Sequence, residues 1–213
     1  MVQSVNTAAI RLVATRVLAQ PRLALPASVA PTLAEVDWAA LRAGGTRGER
    51  GVRFVVLDKD NTLTAPYVDA LHPRVAPAVA RCLAEFGRDR VAILSNSAGT
   101  RDDPGHAAAR AVEAATGLPV VLHDDKKPLG FEETVRHFAA RLPDGDAVDP
   151  ADILVVGDRL LTDTVFGNLH GAQTLHLYQI LEAAGDNRAA LLMRRLENWA
   201  LRRVWRAPLP GSP

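Results

Sequence analysis

Cysteine is almost absent from this chain, since Cys82 is the only one among its 213 residues. A disulfide framework within one chain and a cysteine-based zinc site are therefore excluded, and a reducing or matrix-like compartment is favoured. No uninterrupted apolar run approaches the ~18 residues that a membrane-spanning helix needs, so we predict no such helix. The net charge is +1, which gives no general reason to expect a nucleic-acid partner.

Acidic residues are missing from the first 34 positions, and the first carboxylate is Glu35. On a helical wheel, apolar side chains between residues 10 and 17 share one face, with Arg11 and Arg16 beside it. This pattern is typical of a mitochondrial targeting peptide and equally of an amphipathic helix at a membrane surface; a helix packed on the domain is the third interpretation. Prolines and glycines then predict an extended connector, so residues 1–51 are interpreted as a targeting or membrane-association segment with its linker.

Between residues 52 and 180, short apolar runs alternate with amphipathic stretches. The runs predict five strands, at residues 52–57, 91–94, 119–122, 153–156 and 174–177. The amphipathic stretches predict four helices, at residues 73–86, 106–116, 131–142 and 162–169. Strands separated by helices imply right-handed crossovers. We therefore expect an α/β domain with a doubly wound parallel sheet and helices on both of its faces.

The third predicted unit is a basic helix and tail at residues 181–213, in which tryptophans are interleaved with arginines. A basic helix with tryptophans can lie on anionic lipid. Alternatively, Leu192, Leu196 and Trp199 pack on the domain and leave the arginines in water. We favour the packed arrangement.

Polar side chains follow four of the predicted strands, at the point where each strand ends. In chain order these are Asp58 and Asp60, then Ser95 to Ser97, then Lys126 and Lys127, then Asp158 with Asp163. Because the carboxyl ends of parallel strands meet at one edge of the sheet, we expect the four clusters to converge.

The residue types suit phosphoryl transfer at a metal ion. Side-chain oxygens of Asp58 and Asp158, with the backbone carbonyl of Asp60, can bind Mg²⁺. The metal and one lysine can offset the negative charge of a phosphate monoester, and Ser95 can donate to the phosphate. Asp58 is then the expected nucleophile that forms an aspartyl-phosphate, and Asp60 the expected acid and base.

Over roughly residues 52–178, the four clusters resemble the motifs of the haloacid dehalogenase superfamily of phosphatases. The resemblance implies that Asp58 is the nucleophile and Asp60 the general acid/base. It also implies that Asp158 binds Mg²⁺ and that Asp163 is an acid in the outer sphere of the metal.

The resemblance extends to the phosphate-binding side chains. Ser95 matches the hydroxyl of the second motif, and Lys127 matches the lysine of the third, with Lys126 kept open as the alternative. We also expect a set of polar side chains near the strand ends to contact the substrate: Asn61, Asn96, Lys126 and Arg159.

One departure narrows the resemblance. The superfamily usually has glycine after the second aspartate, where this chain has Asn61. Asn61-Thr62-Leu63, with Lys59 between the aspartates, is similar to the mitochondrial phosphatidylglycerophosphate phosphatases and their small bacterial relatives. That family makes phosphatidylglycerol, the precursor of cardiolipin, at the matrix face of the inner mitochondrial membrane. The resemblance implies the same lipid substrate, a Mg²⁺ cofactor and a peripheral membrane location for this chain.

The gaps between successive clusters are each used up by one helix and one strand, which leaves no room for a cap domain. An open site suits a headgroup that is presented by a large surface. It also suits phosphatases of proteins and of nucleic-acid ends. A soluble phosphomonoester, a protein or a nucleic acid is therefore the alternative substrate, and a non-catalytic lipid-binding protein is the alternative from a different class.

Overall fold

The structure, a computed structural model of the chain, describes residues 15–44, 50–143 and 147–203. Its centre is a sheet in which all strand pairs are parallel. The strands are β1 (Ser28–Ala30), β2 (Phe54–Leu57), β3 (Val91–Ile93), β4 (Ile153–Gly157) and β5 (Gln173–Leu177). Their spatial order is β1-β5-β4-β2-β3. The order reverses direction between β2 and β4, which is where doubly wound sheets bind ligands.

Helices lie on both faces of this sheet, as predicted. They are α1 (Trp38–Ala43), α2 (Ala76–Phe86), α3 (Ala107–Thr116), α4 (Phe131–Ala139), α5 (Val165–Leu169) and α6 (Arg188–Arg203). A π-helical turn at Leu160–Thr164 leads directly into α5, so the helix predicted at residues 162–169 is irregular in its first part. Among the described residues, no separate cap domain is inserted between the strands.

Side chains alternate between two cores along the central strands. In β2, Val55 and Leu57 face the core that α1, α2 and α3 cover, whereas Phe54 and Val56 face the core that α4 and α5 cover. All four side chains are buried. A strand covered on both faces is apolar at every position, which is why β2 and β4 were readable as continuous hydrophobic runs.

The prediction of a strand at residues 119–122 was wrong in its length. Val120 forms only an isolated parallel bridge with Ile93, although Ile93 N donates to Pro119 O and Val121 N donates to Ile93 O, both at 2.8 Å. Pro119 has no N–H to donate, and Val120 N donates to Glu113 Oε1 at 2.8 Å rather than to another strand. The missing N–H of Pro119 thus ends the pairing on the N-terminal side of the bridge.

The edge strand β1 was not predicted, because its three residues lie within the proline-rich segment that indicated an extended connector. Ser28 to Ala30 pair in parallel register with Leu175 to Leu177 of β5. Prolines close to an edge strand are tolerated since one side of that strand needs no partner. Part of the segment 1–51 thus belongs to the sheet, while the proposed division of the chain into three units stays a prediction.

The favoured packing of the C-terminal helix was wrong. Leu192, Leu196 and Trp199 of α6 are 58%, 51% and 59% exposed, whereas Arg194 and Glu197 are buried. The helix buries its polar side because charged groups of the sheet edge provide partners for it. Buried polar and charged groups are tolerated where such partners are present.

The N-terminal part of the described chain is joined to the domain through Trp38. Trp38 packs α1 on the domain: its ring meets Phe86 edge-on with centroids 6.2 Å apart, and its Nε1 donates to Ala78 O at 3.1 Å. The amphipathic pattern at residues 10–17 falls mostly outside the described residues. Within the described ranges, no helix is long and apolar enough to cross a membrane.

Replacing Trp38 with alanine is expected to lower the free energy of unfolding by about 3–5 kcal/mol, because a buried indole is removed and a cavity remains. Urea unfolding followed by circular dichroism measures this. Trp199→Ala is the matched control: it removes an exposed indole and should change the free energy by no more than about 0.5 kcal/mol. Equal losses in the two variants would contradict the packing described here.

Candidate active site

The four polar clusters converge at the carboxyl edge of the sheet, beside a cavity of about 510 Å³. One wall of the cavity consists of side chains from the strand ends: Asp58, Asp60, Asn96, Ser97, Lys127, Asp158, Arg159, Thr162 and Asp163. A second wall comes from the loop after β2 and from residues at and just before the start of α6: Pro66, Tyr67, Asp186, Asn187, Ala189, Ala190, Met193 and Arg194. The first wall was expected, and the second was not.

Lys127 lies between two carboxylates at the centre of the site. Its Nζ donates to Asp58 Oδ1 and to Asp163 Oδ1, in both cases at 2.5 Å. Lys126 instead forms an ion pair with Asp102 at 2.8 Å and is absent from the cavity walls. The sequence left open which of the two lysines contacts phosphate; Lys127 is the one that lines the cavity, and its phosphate contact stays a prediction.

Asp58, Asp158 and Asp163 each offer a carboxylate oxygen within 4.8 Å of the other two. In the described part of the chain, Asp158 Oδ1 is buried and has no hydrogen-bond partner. A buried carboxylate oxygen without a donor is costly unless a cation pairs with it. Carboxylate oxygens are also the ligands that hard divalent cations prefer. The residues present therefore fit a divalent metal ion.

Gly157 permits the close approach of Asp163 to the end of β4. A Cβ atom at position 157 would lie 2.3 Å from the Asp163 carboxyl group. Asp163 is further held by the π-helical turn, where its amide donates to Arg159 O at 2.9 Å and its Oδ2 accepts from Arg159 N at 3.2 Å. The turn thus holds in place the Asp163 carboxylate that accepts a hydrogen bond from Lys127.

Burial shifts the proton affinities of this cluster. It raises the pKa of Asp58 to about 6, against the opposing charge of Lys127. It also raises the pKa of Asp158 well above its ordinary value, with Arg194 opposing. For Lys127, burial favours a lower pKa, but the charges of Asp163 and Asp58 raise it above the usual value. Lys127 and Arg194 offset the raised pKa values of Asp58 and Asp158 only in part. A bound divalent cation would therefore favour the ionised forms of these two acids.

Asp60 occupies a more open place beside this cluster. Its Oδ1 accepts from Tyr67 N and from Lys59 Nζ, each at 3.0 Å. Ser97 Oγ lies 3.5 Å from its other oxygen. The side chain is 30% exposed, compared with 14% for Asp58. An oriented carboxylate that still meets solvent suits proton exchange with a leaving group or with water.

The polar cluster after β3, Ser95 to Ser97, has one buried side chain and two side chains that line the cavity. Ser95 is buried with its Oγ 3.0 Å from Ser97 Oγ, and Ser97 is the serine that lines the cavity. Asn96 also lines the cavity, and its Oδ1 accepts from Lys127 N at 2.8 Å. Phosphate binding by Ser95 and Asn96 stays a prediction.

The backbone conformation of Asn61 shows why either asparagine or glycine can follow the second aspartate of the motif. Its φ is 61°, a left-handed conformation that glycine adopts freely and asparagine tolerates better than most residues. Its Nδ2 donates to Asp186 Oδ2 at 2.9 Å, and its Oδ1 accepts from Glu182 N at 3.0 Å. The amide is thus engaged with the loop before α6, and a substrate contact by Asn61 stays a prediction. Arg159 does line the cavity.

Sequence reasoning missed the contribution of α6. Arg194 reaches Asp158 and Asp186 from this helix, and Met193 lines the cavity. One signal was present in the sequence. The helix is strongly basic, but one of its sides carries an acid and an amide beside an arginine, since helical spacing places together Arg194, Glu197, Asn198 and Leu201.

The family described as mitochondrial PGP phosphatase matches this chain over residues 8–181. The chain belongs to that family. The match covers every strand and motif of the sheet edge, and it ends before α6 begins. The protein is accordingly a phosphatase with a haloacid dehalogenase-like α/β fold.

Curated relatives agree with this assignment. Phosphatidylglycerophosphate phosphatase 1, chloroplastic, of Chlamydomonas reinhardtii is 41% identical over 94% of this chain and 70% of its own length. The Arabidopsis thaliana protein of that name, chloroplastic/mitochondrial, is 37% identical over 97% of this chain, which spans only 56% of that relative. Phosphatidylglycerophosphatase GEP4, mitochondrial, of Saccharomyces cerevisiae is 31% identical over 74% of this chain and 79% of its own.

Lys127→Ala is expected to lower kcat by about 10²–10³-fold, as removal of one preorganised charge from a reaction centre commonly does. Lys126→Ala is the matched control and should stay within severalfold of wild type, because Lys126 pairs with Asp102 outside the cavity. Phosphate release from an aryl phosphate measures both, with circular dichroism to check folding. A larger loss in the Lys126 variant would reverse the assignment of the lysine.

Proposed function

We propose that this chain is a Mg²⁺-dependent phosphatase that hydrolyses phosphatidylglycerophosphate to phosphatidylglycerol and phosphate, a step of cardiolipin biosynthesis. The observation that carries the proposal is the cluster in which Lys127 joins Asp58 and Asp163 beside Asp158. This arrangement occurs in a chain of the mitochondrial PGP phosphatase family. Three relatives from different organisms bear the name of the lipid phosphatase.

The proposed metal ligands are the side chains of Asp58 and Asp158 and the backbone carbonyl of Asp60, with Asp163 in the outer sphere. The unpartnered Oδ1 of Asp158 supports this assignment. When bound, Mg²⁺ would offset the charge on the phosphoryl oxygens and orient the phosphate. Lys127 would add a fixed positive charge on the side of Asp58.

In the proposed reaction, a carboxylate oxygen of Asp58 attacks phosphorus and forms an aspartyl-phosphate, while the bond to the glycerol oxygen breaks. Asp60 donates its proton to that departing oxygen. Asp60 then accepts a proton from water, which attacks phosphorus, releases inorganic phosphate and restores the Asp58 carboxylate. The position of Asp60, held by Tyr67 N and partly exposed, supports this double role.

We further propose that the protein is peripheral to a membrane, through its N-terminal amphipathic segment and through α6. The exposed apolar side chains Leu192, Leu196 and Trp199 support the second contact. Exposed arginines at both ends of the helix, Arg188, Arg202 and Arg203, would suit anionic headgroups. Met193 continues this apolar surface to the cavity, so a headgroup could enter from the membrane side.

The proposed location is the matrix side of the inner mitochondrial membrane. The family description and the name of the Saccharomyces cerevisiae relative support a mitochondrial site. The Chlamydomonas relative is named chloroplastic, which makes the chloroplast the alternative organelle. Imaging of a C-terminal fluorescent fusion in cells of the source organism distinguishes the two.

Asp58→Asn is expected to abolish phosphate release with little loss of folding, because the change is nearly isosteric and removes the nucleophile. The assay measures phosphate released from phosphatidylglycerophosphate in mixed micelles, with Mg²⁺ or with chelator, beside a soluble aryl phosphate. Asp89→Asn, at an exposed position outside the cavity, is the control for the loss of one carboxylate.

The outcomes of this assay separate chemistry from substrate. Release that requires both Mg²⁺ and Asp58 and strongly favours the lipid would support the whole proposal. Equal or faster turnover of the aryl phosphate would keep the phosphatase and remove the lipid assignment in favour of a soluble, protein or nucleic-acid substrate. Substantial activity of Asp58→Asn would rule out the covalent mechanism.

Leu196→Ser is expected to weaken binding to phosphatidylcholine vesicles that contain phosphatidylglycerol by up to about tenfold, since full burial of a leucine contributes roughly 1.5–3 kcal/mol and Leu196 is already about half buried. Leu122→Ser is a closely matched control, because Leu122 is 49% exposed and Leu196 is 51% exposed. Vesicle co-sedimentation measures both. Unchanged binding of the Leu196 variant, or an equal loss in the control, would exclude α6 as the membrane contact.

A further inference from the structure

Four side chains link the nucleophile loop to the metal-binding acid through the C-terminal part of the chain. Asn61 Nδ2 donates to Asp186 Oδ2 at 2.9 Å. Arg194 Nη1 donates to the same oxygen at 2.5 Å, and Arg194 Nε donates to Asp158 Oδ2. The contacts form one continuous chain: Asn61, Asp186, Arg194, Asp158.

This chain of contacts is largely withdrawn from water. Asn61, Asp158 and Arg194 are buried, and the side chain of Asp186 is only 6% exposed. Charges at such positions lose their hydration, so their orientation is set by the partners that they find within the protein. In surface ion pairs, by contrast, geometry and energy are weakly defined.

Asp158 uses its two oxygens differently. Oδ2 accepts from Arg194, whereas Oδ1 is buried without a partner in the described part of the chain. The ion-pair partners of Arg194 are Asp158 and Asp186, whereas the carboxylates of Asp58 and Asp163 are joined to Lys127. The guanidinium thus holds one side of Asp158 and leaves the other side for a cation.

A second buried side chain of α6 holds the neighbouring turn. Glu197 accepts from Leu160 N at 3.0 Å and from Leu161 N at 3.3 Å, at the start of the π-helical turn that carries Asp163. Helix α6 therefore contacts the segment after β4 on both sides of Arg159, at Asp158 and at Leu160. Asp186 and Arg194 lie beyond residue 181, where the family match ends.

We propose that Arg194, supported by Asp186, is a positioning residue that orients Asp158 for metal binding and ties it to the nucleophile loop at Asn61. The role rests on the proposed Mg²⁺ site. With this role, α6 would support the active site in addition to its proposed contact with the membrane.

Two effects of removing Arg194 oppose each other. Loss of a positive charge near the site would favour a cation, whereas loss of the donor leaves Asp158 without its anchor. The anchoring effect is expected to dominate, because removal of the outer partners of metal ligands typically weakens metal binding 10–100-fold. The sign of the change in Mg²⁺ affinity therefore decides the role.

The experiment is isothermal titration of the chelator-treated full chain with Mg²⁺, without substrate. Arg194→Met should weaken binding about 10–100-fold. Arg194→Lys should recover only part of the loss, because one ammonium does not reproduce the fork of two guanidinium N–H groups. Arg195→Met is the matched control: it removes the same charge from the exposed neighbouring position and should stay within about twofold of wild type.

Circular dichroism without metal shows whether each variant folds. If Arg194→Met does not fold, Asp186→Asn takes its place, since it removes the charge that fixes Arg194 and should also weaken Mg²⁺ binding. Affinity that is unchanged or increased in the folded variants overturns the positioning role. Absence of Mg²⁺ binding by the wild type would instead refute the proposed metal site, and this inference with it.

Discussion

The structure of the site depends on the neutralisation of carboxylates that the fold forces together. Asp58, Asp158 and Asp163 lie within reach of one another at the edge of the sheet, and burial raises the pKa values of Asp58 and Asp158. Lys127 pairs with two of them and Arg194 with the third. Without these cations the acids could not remain both buried and ionised, and neither the proposed metal binding nor the proposed nucleophilic attack would be available.

The parallel sheet is what brings the acids together. Asp58 and Asp158 follow the neighbouring strands β2 and β4, which pair from Phe54 to Leu57 with Ile153 to Val156. In this register Leu57 lies opposite Val156 and β4 runs one residue further than β2, so Asp58 and Asp158 leave adjacent strands one position apart in level. The two cores hold the sheet from both faces, and the absence of a side chain at Gly157 makes room for Asp163 at the end of β4.

Helix α6 has two faces with different tasks. Its inner face carries Arg194 and Glu197 to the motif after β4, and its outer face exposes Leu196 and Trp199. Contact of the outer face with a membrane would bring the lipid to the same helix that supports the metal ligand. Such an arrangement suits a substrate whose headgroup must be presented to the cavity while its acyl chains stay in the bilayer.

The sequence alone determined the alternation of strands and helices, the convergence of the polar clusters and the identity of the acids, because each depends on local periodicity and on the position of a residue at a strand end. It left Lys126 and Lys127 unresolved, missed β1 and misplaced the face of α6. Those features depend on which side chains find partners in space: Asp163 lies 36 positions from Lys127, and Asp158 lies 36 positions from Arg194. Helix periodicity identifies an apolar stripe, but only the tertiary structure showed that Arg194 and Glu197 of α6 find buried polar partners while Leu192 and Leu196 stay exposed.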